Sequence, residues 1–255
     1  MEDRLQDFRA TPLERQRTKS LMDMLPAKLG RVLDVGTRDG HFARLLADRG
    51  ASVVALDLER PQIDHPGVEA VQGDATALAF PDGAFDLVLC AEVLEHIPGS
   101  ALDRACAEIT RVCAGHALIG VPYRQDLRMW RTSCRNCGKT SPPWGHVNSF
   151  DEQRLQSLFP GLSIAAKAFV GTAELGTNVA SAWLMDLAGN PYGTYVQDEP
   201  CVHCGARLTA PAGLGLGKRA LAKAALLVRA AHNLGRQPHA NWIHLLMRQN
   251  GSPGR

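Results

Sequence analysis

RVLDVGTRDGHFARLLADRG, residues 31–50, reads as a buried strand, a glycine-bracketed turn and a helix that opens at the turn. Val32, Leu33 and Val35 make a short apolar run of the kind a parallel sheet covers on both faces; a strand with one wet face would alternate. The run stops at Gly36. Gly36 and Gly40 bracket the turn, where a missing Cβ lets the backbone adopt dihedrals closed to other residues and approach a ligand closely. Phe42, Leu45 and Leu46 then recur at helical spacing. Backbone amides at the helix N-terminus are therefore expected to face a bound ligand. A second strand, Ser52–Leu56, ends in the carboxylate of Asp57.

The same alternation continues outward. Val68–Gln72 reads as a third strand followed by Gly73-Asp74-Ala75, and Pro81-Asp82-Gly83 is a turn before a fourth strand, Phe85–Leu89. A helix from about Ser100 to Val112 leads to the strand Ala117–Val121, and later strands fall at Leu162–Val170 and Trp242–Arg248. Strands alternating with helices predict an α/β fold with helices on both faces of the sheet.

The segment 31–59 resembles the first βαβ unit of the class I S-adenosylmethionine-dependent methyltransferases. FPDGAFDLVLCAEVLEHIP, residues 80–98, is similar to their type 11 branch through Glu92-x-x-Glu95-His96. The resemblance covers roughly residues 30–125 and, more loosely, the whole chain. It implies a Rossmann-like, seven-stranded sheet, mostly parallel with an antiparallel last strand, and S-adenosylmethionine as cofactor. It also implies a cofactor site: Asp34, Gly36, Thr37 and Gly40 at the turn, Asp57 and Leu58 at the ribose, Asp74 and Ala75 at the adenine, and Cys90 and Glu92 at the sulfonium end, since ligands of open α/β sheets lie beyond the carboxyl ends of the strands. One position departs from the family's Asp/Glu-x-Gly-x-Gly-x-Gly. Arg38 stands at the middle glycine, which implies an altered loop conformation and cofactor affinity. Residues 1–28 resemble the family's N-terminal helical cover, starting at Thr11-Pro12, ahead of a methyltransferase domain at 29–255; the tail 251–255 reads as disordered.

Four of the seven cysteines form two pairs, Cys134-Arg-Asn-Cys137-Gly138 and Cys201-Val-His-Cys204-Gly205. Two Cys-x-x-Cys-Gly knuckles supply the four sulfurs of a closed tetrahedral zinc site, which makes a structural metal the expectation. A dithiol redox centre is the alternative, since either pair alone has that spacing, and the duplication argues against it. The pairs mark zinc-binding insertions at about 123–147 and 190–212, expected to form a small lobe beside the acceptor pocket. His203 reads as a surface residue, and Cys90, Cys106 and Cys113 as core thiols.

The chain has 255 residues, 45% of them hydrophobic, enough for one α/β domain with a modest insertion. MEDRLQDFRA lacks the apolar stretch of a signal peptide and no apolar run reaches membrane-span length, so a cytoplasmic protein with reduced thiols is expected. From Cys201 onward there are eight Lys/Arg and no Asp or Glu, against a whole-chain charge of +2. The helix expected at Gly217–Leu234 carries Lys218, Arg219, Lys223 and Arg229; it packs by a Leu/Ala stripe, or its polar face meets a phosphate-bearing substrate, an anionic membrane surface or nucleic acid.

Methyl transfer is an in-line displacement that requires alignment and, for a hydroxyl acceptor, removal of a proton. His96 and His146 are the candidate bases, with Asp151 expected to cap the helix after His146. The alternative for both is a loop-holding role. Glu95 reads as a solvated helix start. Tyr123, Arg124, Trp130 and Trp144 are candidates for lining the acceptor pocket. The leading expectation is a small-molecule methyltransferase acting on a hydroxyl of a saccharide or secondary metabolite. An RNA methyltransferase is the runner-up, disfavoured by 5% aromatic content and no Arg/aromatic stripe for stacking bases. A non-catalytic zinc module that binds S-adenosylmethionine is the third reading.

Overall fold

A computed structural model describes residues 7–250 and divides the chain into two compact units. The first takes the chain up to residue 123, then 150–171, then 240 onward; the second takes 124–149 and 172–239.

The first unit holds a seven-stranded sheet of order β3-β2-β1-β4-β5-β9-β8. Its strands are β1 (Arg31–Val35), β2 (Ser52–Asp57), β3 (Val68–Gln72), β4 (Phe85–Ala91), β5 (Cys113–Pro122), β8 (Leu162–Val170) and β9 (Trp242–Gln249). Pairing is parallel from β3 through β5, and β9 runs antiparallel to both β5 and β8. The strand order reverses between β1 and β4, which opens a crevice at their carboxyl ends.

Alternate residues of the central strands enter opposite cores. Leu33, Val54 and Val88 join one core with Leu102, Cys106 and Ile109 of α3 (Gly99–Val112); Val32, Val53 and Leu87 join the other with Leu21 of α1 (Pro12–Asp23) and Leu46 of α2 (His41–Ala47). This two-sided cover explains the near-continuous apolar strands. Cys90, Cys106 and Cys113 are core thiols as expected. Thr11 caps α1 through its side chain, with Pro12 at the first helical position; residues 1–6 of the expected cover and the tail 251–255 lie outside the described residues.

The second unit contains the short hairpin of β6 (Thr132–Ser133) and β7 (Thr140–Ser141) and two packed helices, α5 (Val179–Leu187) and α6 (Leu216–His232). Between the hairpin and α5 in sequence lies α4 (Glu152–Leu158) of the first unit, capped by Asp151 as expected. α6 buries Ala222 and Ala225, half-buries Leu221 and Val228, and exposes Leu216 and Leu227, so part of the expected stripe packs.

Asp34 sits under the β1–α2 turn, almost fully buried. Its carboxylate accepts from Thr37 Oγ1 at 2.6 Å and from the Ala43 amide, so it satisfies a donor at the start of α2. Burial pushes its carboxyl up to about 7, against the lowering pull of those two donors. From about pH 4 to about 7 the folded state therefore holds a proton that the unfolded chain has lost, and this group's contribution to stability falls as pH rises. Melting temperatures of wild type and Asp34→Asn, compared from about pH 4 to 8, should show the variant losing less stability across that window. Parallel curves would exclude an ionisable Asp34 as the source.

Candidate functional site

The turn after β1 is fastened to the end of β2 by consecutive amides. Gly36 N and Thr37 N donate to Leu56 O at 2.8 and 3.1 Å, and Arg38 N donates to Asp57 Oδ2 at 2.7 Å. These three turn donors are used within the fold. What the turn offers instead is close approach and an oriented carboxylate. Gly36 has φ +70°, and a Cβ there would lie 2.3 Å from Val93 Cγ2. Arg38 adopts φ +53°, so the loop holds the left-handed backbone that the absent glycine would take freely, at roughly 1–2 kcal/mol of strain. Gly40, with φ +77°, precedes α2. Arg9 pairs with both oxygens of Asp39, which pins the segment before α1 onto the turn.

Leu58 N donates to Asp57 Oδ1 at 2.7 Å, so one amide holds each oxygen of that carboxylate. The Leu58 side chain is exposed beside it. Asp74 is exposed after β3; the backbone and side chain of Thr76 hold its carboxyl below the ordinary range. Ala75 is buried. Cys90 has 0% exposure, so its side chain packs in the core and supports the end of β4 from within.

Beyond β4 lies a buried polar nest of which sequence reasoning found only Glu92. Arg17 of α1 is buried, pairs with Glu14, points Nη1 at Glu92 Oε1 over 3.9 Å and lies 5.7 Å from the ring centroids of Phe42 and Trp242. Glu92 has φ +60°, and burial raises its carboxyl although Arg17 and Trp242 draw it down. Glu95, expected in solvent, is fully buried in the 3-10 turn Leu94–His96; burial and then Glu92 push its carboxyl well above the ordinary range. Closure of that turn against the core overrides the exposure that a first-turn glutamate suggests. His244 of β9 bonds Ser20 through Nδ1 at 2.9 Å, and burial, then Arg17, lowers it to about 3. Arg17 Nη1, Glu92 Oε1, both Glu95 carboxylate oxygens, His41 Nε2 and His244 Nε2 are buried without hydrogen-bond partners among the described residues. Such atoms are costly unless a ligand or water meets them. The signal was the face Glu14, Arg17, Leu21, which sets charges at core positions of α1.

In the second unit the four knuckle sulfurs all lie within 4.8 Å of one another. Cys134 Sγ to Cys204 Sγ and Cys137 Sγ to Cys201 Sγ are both 3.7 Å, close to the ~3.8 Å edge of a tetrahedron with zinc–sulfur bonds of about 2.3 Å. The knuckles are duplicates. Gly138 N donates to Cys134 O and Gly205 N to Cys201 O, each at 2.9 Å, and the two glycines have φ +72° and +70°. Ser141 Oγ and Asn136 Nδ2 donate to Cys201 and Cys204 sulfurs at 3.4 and 3.5 Å. Burial alone would raise Cys201, but Ser141 and the His203 and Cys204 amides outweigh it, so its thiol falls to about 6. His203 is exposed, as expected.

His146 is buried in the second unit, and its Nδ1 lies 2.6 Å from Gln125 Oε1. An amide oxygen only accepts, so this orientation puts the proton on Nδ1 and the lone pair on Nε2. His96 closes the 3-10 turn of the first unit. Arg124 and Trp130 line cavities of the second unit, Trp144 is exposed there, and Tyr123 is buried in the first.

Residues 33–119 match a family model described as a methyltransferase domain. The ubiquinone biosynthesis O-methyltransferase of Ralstonia nicotianae is 35% identical over 106 residues, covering 37% of this chain and 44% of that protein. The chain thus spans less than half the length of the curated relatives it matches. Among solved structures, the Burkholderia thailandensis 1,6-didemethyltoxoflavin-N1-methyltransferase, with 1,6-didemethyltoxoflavin and S-adenosylhomocysteine bound, aligns at 14% identity with TM-score 0.54 over 97% of this chain and 83% of that one. An S-adenosylmethionine-dependent methyltransferase from Mesorhizobium loti aligns at 16% identity with TM-score 0.50 over 91% and 96%. That sheet order and these alignments make the fold a Rossmann-like methyltransferase fold, and the likeness to the methyltransferase-domain model falls on residues 33–119 of it.

Proposed function

We propose that the protein transfers a methyl group from S-adenosylmethionine to a hydroxyl of a small molecule, a saccharide or other secondary metabolite, and that zinc clips its second unit. The carrying observation is the Asp57 carboxylate, each oxygen set by one backbone amide at the end of β2. That fixed acceptor suits the two hydroxyls of a ribose, and exposed Leu58 gives a flat base an apolar face. The nest beyond β4 fits the amino-acid end of the cofactor, with Arg17 Nη1 as donor to a carboxylate and Glu92 Oε1 as acceptor for an ammonium. The matched Ralstonia protein is an O-methyltransferase by name, which favours oxygen as the acceptor atom.

When bound, S-adenosylmethionine supplies an electrophilic methyl on a sulfonium. The chain's task is to align the acceptor oxygen and take its proton. His146 suits this because Gln125 fixes the tautomer with basic Nε2; His96 is the second candidate. The four cysteines close the shell around zinc, which assigns the metal to holding the lobe rather than to chemistry.

Calorimetry with S-adenosylhomocysteine should show Asp57→Ala binding at least about tenfold more weakly than wild type; equal affinities would remove Asp57 from the site.

Elemental analysis should find about one zinc per chain, and chelation should lower the melting temperature because the metal joins segments with little core of their own. Metal-free protein with a disulfide inside either knuckle would replace the zinc reading.

A panel of sugar, phenolic and RNA acceptors with labelled cofactor tests the reaction itself. On the acceptor found, His146→Ala should reduce turnover about a hundredfold with cofactor affinity nearly unchanged. If neither that variant nor His96→Ala changes turnover by more than a few fold, proton removal belongs to neither. Transfer to RNA alone would overturn the small-molecule reading.

A further inference from the structure

α6 turns small residues inward and large apolar ones outward. Ala222 and Ala225 are buried, whereas Leu216 and Leu227 are 85% and 63% exposed, and Leu234, in the turn after the helix, is 81% exposed. Leu216 and Leu227 are close to three whole helical turns apart, and Leu227 and Leu234 close to two, so the three leucines fall on one side. A solvated helix places polar residues there. Ala220, also on that side, is exposed and adds none.

The polar residues that α6 does expose are all cations: Lys218, Arg219 and Lys223. Their side chains make no hydrogen bond or ion pair among the described residues. Arg219 and Lys223 follow Leu216 by three and seven residues, so they stand along the leucine side. Arg229 points the other way, donating to Leu175 O at 2.7 Å and Gly176 O at 3.3 Å. Acids on the neighbouring elements are engaged: Asp186 of α5 pairs with Arg131 at 2.9 Å, and Glu174 faces Arg229 at 3.9 Å. From Cys201 onward the chain has no Asp or Glu. Lys218 and Arg219 also lie in the first turn of the helix, where the macrodipole disfavours cations and no acid offsets them. An external anion turns that unfavourable placement into a favourable one.

The occupant of this side must therefore be apolar and anionic together. A second copy docked about a two-fold axis would cover the leucines but set the cations against their own counterparts. Single-stranded nucleic acid would meet the charge, yet leucines give its bases no stacking platform. An anionic bilayer meets both demands, because leucines enter the acyl boundary while the long stems of Arg and Lys carry their charges to the headgroups. No described helix is long and apolar enough to cross a membrane, so the contact is with one surface.

We propose that α6 docks the second unit on an anionic lipid surface, with Leu216, Leu227 and Leu234 at the acyl boundary and Arg219 and Lys223 among the headgroups. This surface belongs to the second unit and stands whether or not the first transfers methyl groups.

Co-sedimentation of the full zinc-loaded chain with vesicles tests it, using phosphatidylcholine alone and phosphatidylcholine mixed equally with phosphatidylglycerol, alongside titration with a single-stranded oligouridylate. The mixed vesicles should bind the protein about tenfold or more tighter than phosphatidylcholine alone, and the difference should shrink at about 0.5 M salt. Leu216→Gln combined with Leu227→Gln keeps good helix formers at exposed positions. That variant should bind mixed vesicles at least about tenfold more weakly with the melting temperature unchanged. Arg219→Gln combined with Lys223→Gln should weaken the same binding by about tenfold or more. No vesicle binding, equal binding to both vesicles, tighter binding of the oligonucleotide, a leucine-dependent dimer in its place, or either double variant binding as wild type would each overturn the assignment.

Discussion

Three successive amides, those of Gly36, Thr37 and Arg38, reach from the end of β1 to the end of β2. This zipper governs the geometry of the whole crevice edge. It holds the turn in its left-handed shape, aims Asp57, and, with Asp34 bonded to Thr37 and Ala43, sets where α2 begins. Because those donors are engaged within the fold, the turn is pre-organised and a ligand need not order it. The recognition that remains falls to side chains whose positions the backbone has fixed, which favours affinity by lowering the entropy lost on binding.

The two units are held by different physics. The sheet unit has two apolar cores of ordinary composition, one on each face. The knuckle region has a cluster of only three buried residues, Cys134, Cys201 and Leu208. Few apolar side chains are buried there, and under the proposed zinc reading a metal held by the four convergent thiols takes the place of a core. Elsewhere in that unit, Arg131 with Asp186 and Arg128 with Asp126 tie chain segments far apart in sequence or stiffen single loops.

The strands were legible because a sheet covered on both faces writes itself as short apolar runs, and Leu162–Val170 is observed with the limits read from the residues. The knuckle pattern was legible because metal spacing is local and the glycine after each second cysteine answers a positive φ. What escaped notice was set by distant packing. Nothing near Glu95 in sequence reports that its turn closes against the core, and Gln125 has no motif value until His146 lies beside it. The burial of the Cys90 side chain was hidden for a related reason: a position at a strand end indicates the region, while the pleat decides whether a side chain faces the crevice or the core.

The place of β9 in the sheet bears on how the chain reaches its fold. β9 lies between β5 and β8 and pairs with both, yet it follows every other strand in the chain. Until residues 242–249 are available, β5 and β8 each present an open edge, and no turn of local sequence brings them together. The sheet therefore closes by late insertion, a non-local pairing of the kind that folds slowly, and a nascent chain carries both open strand edges from the completion of β8 at residue 170 until residues 242–249 arrive. The exposure of those edges to mispairing is set by that topology, independently of how stable the finished sheet is.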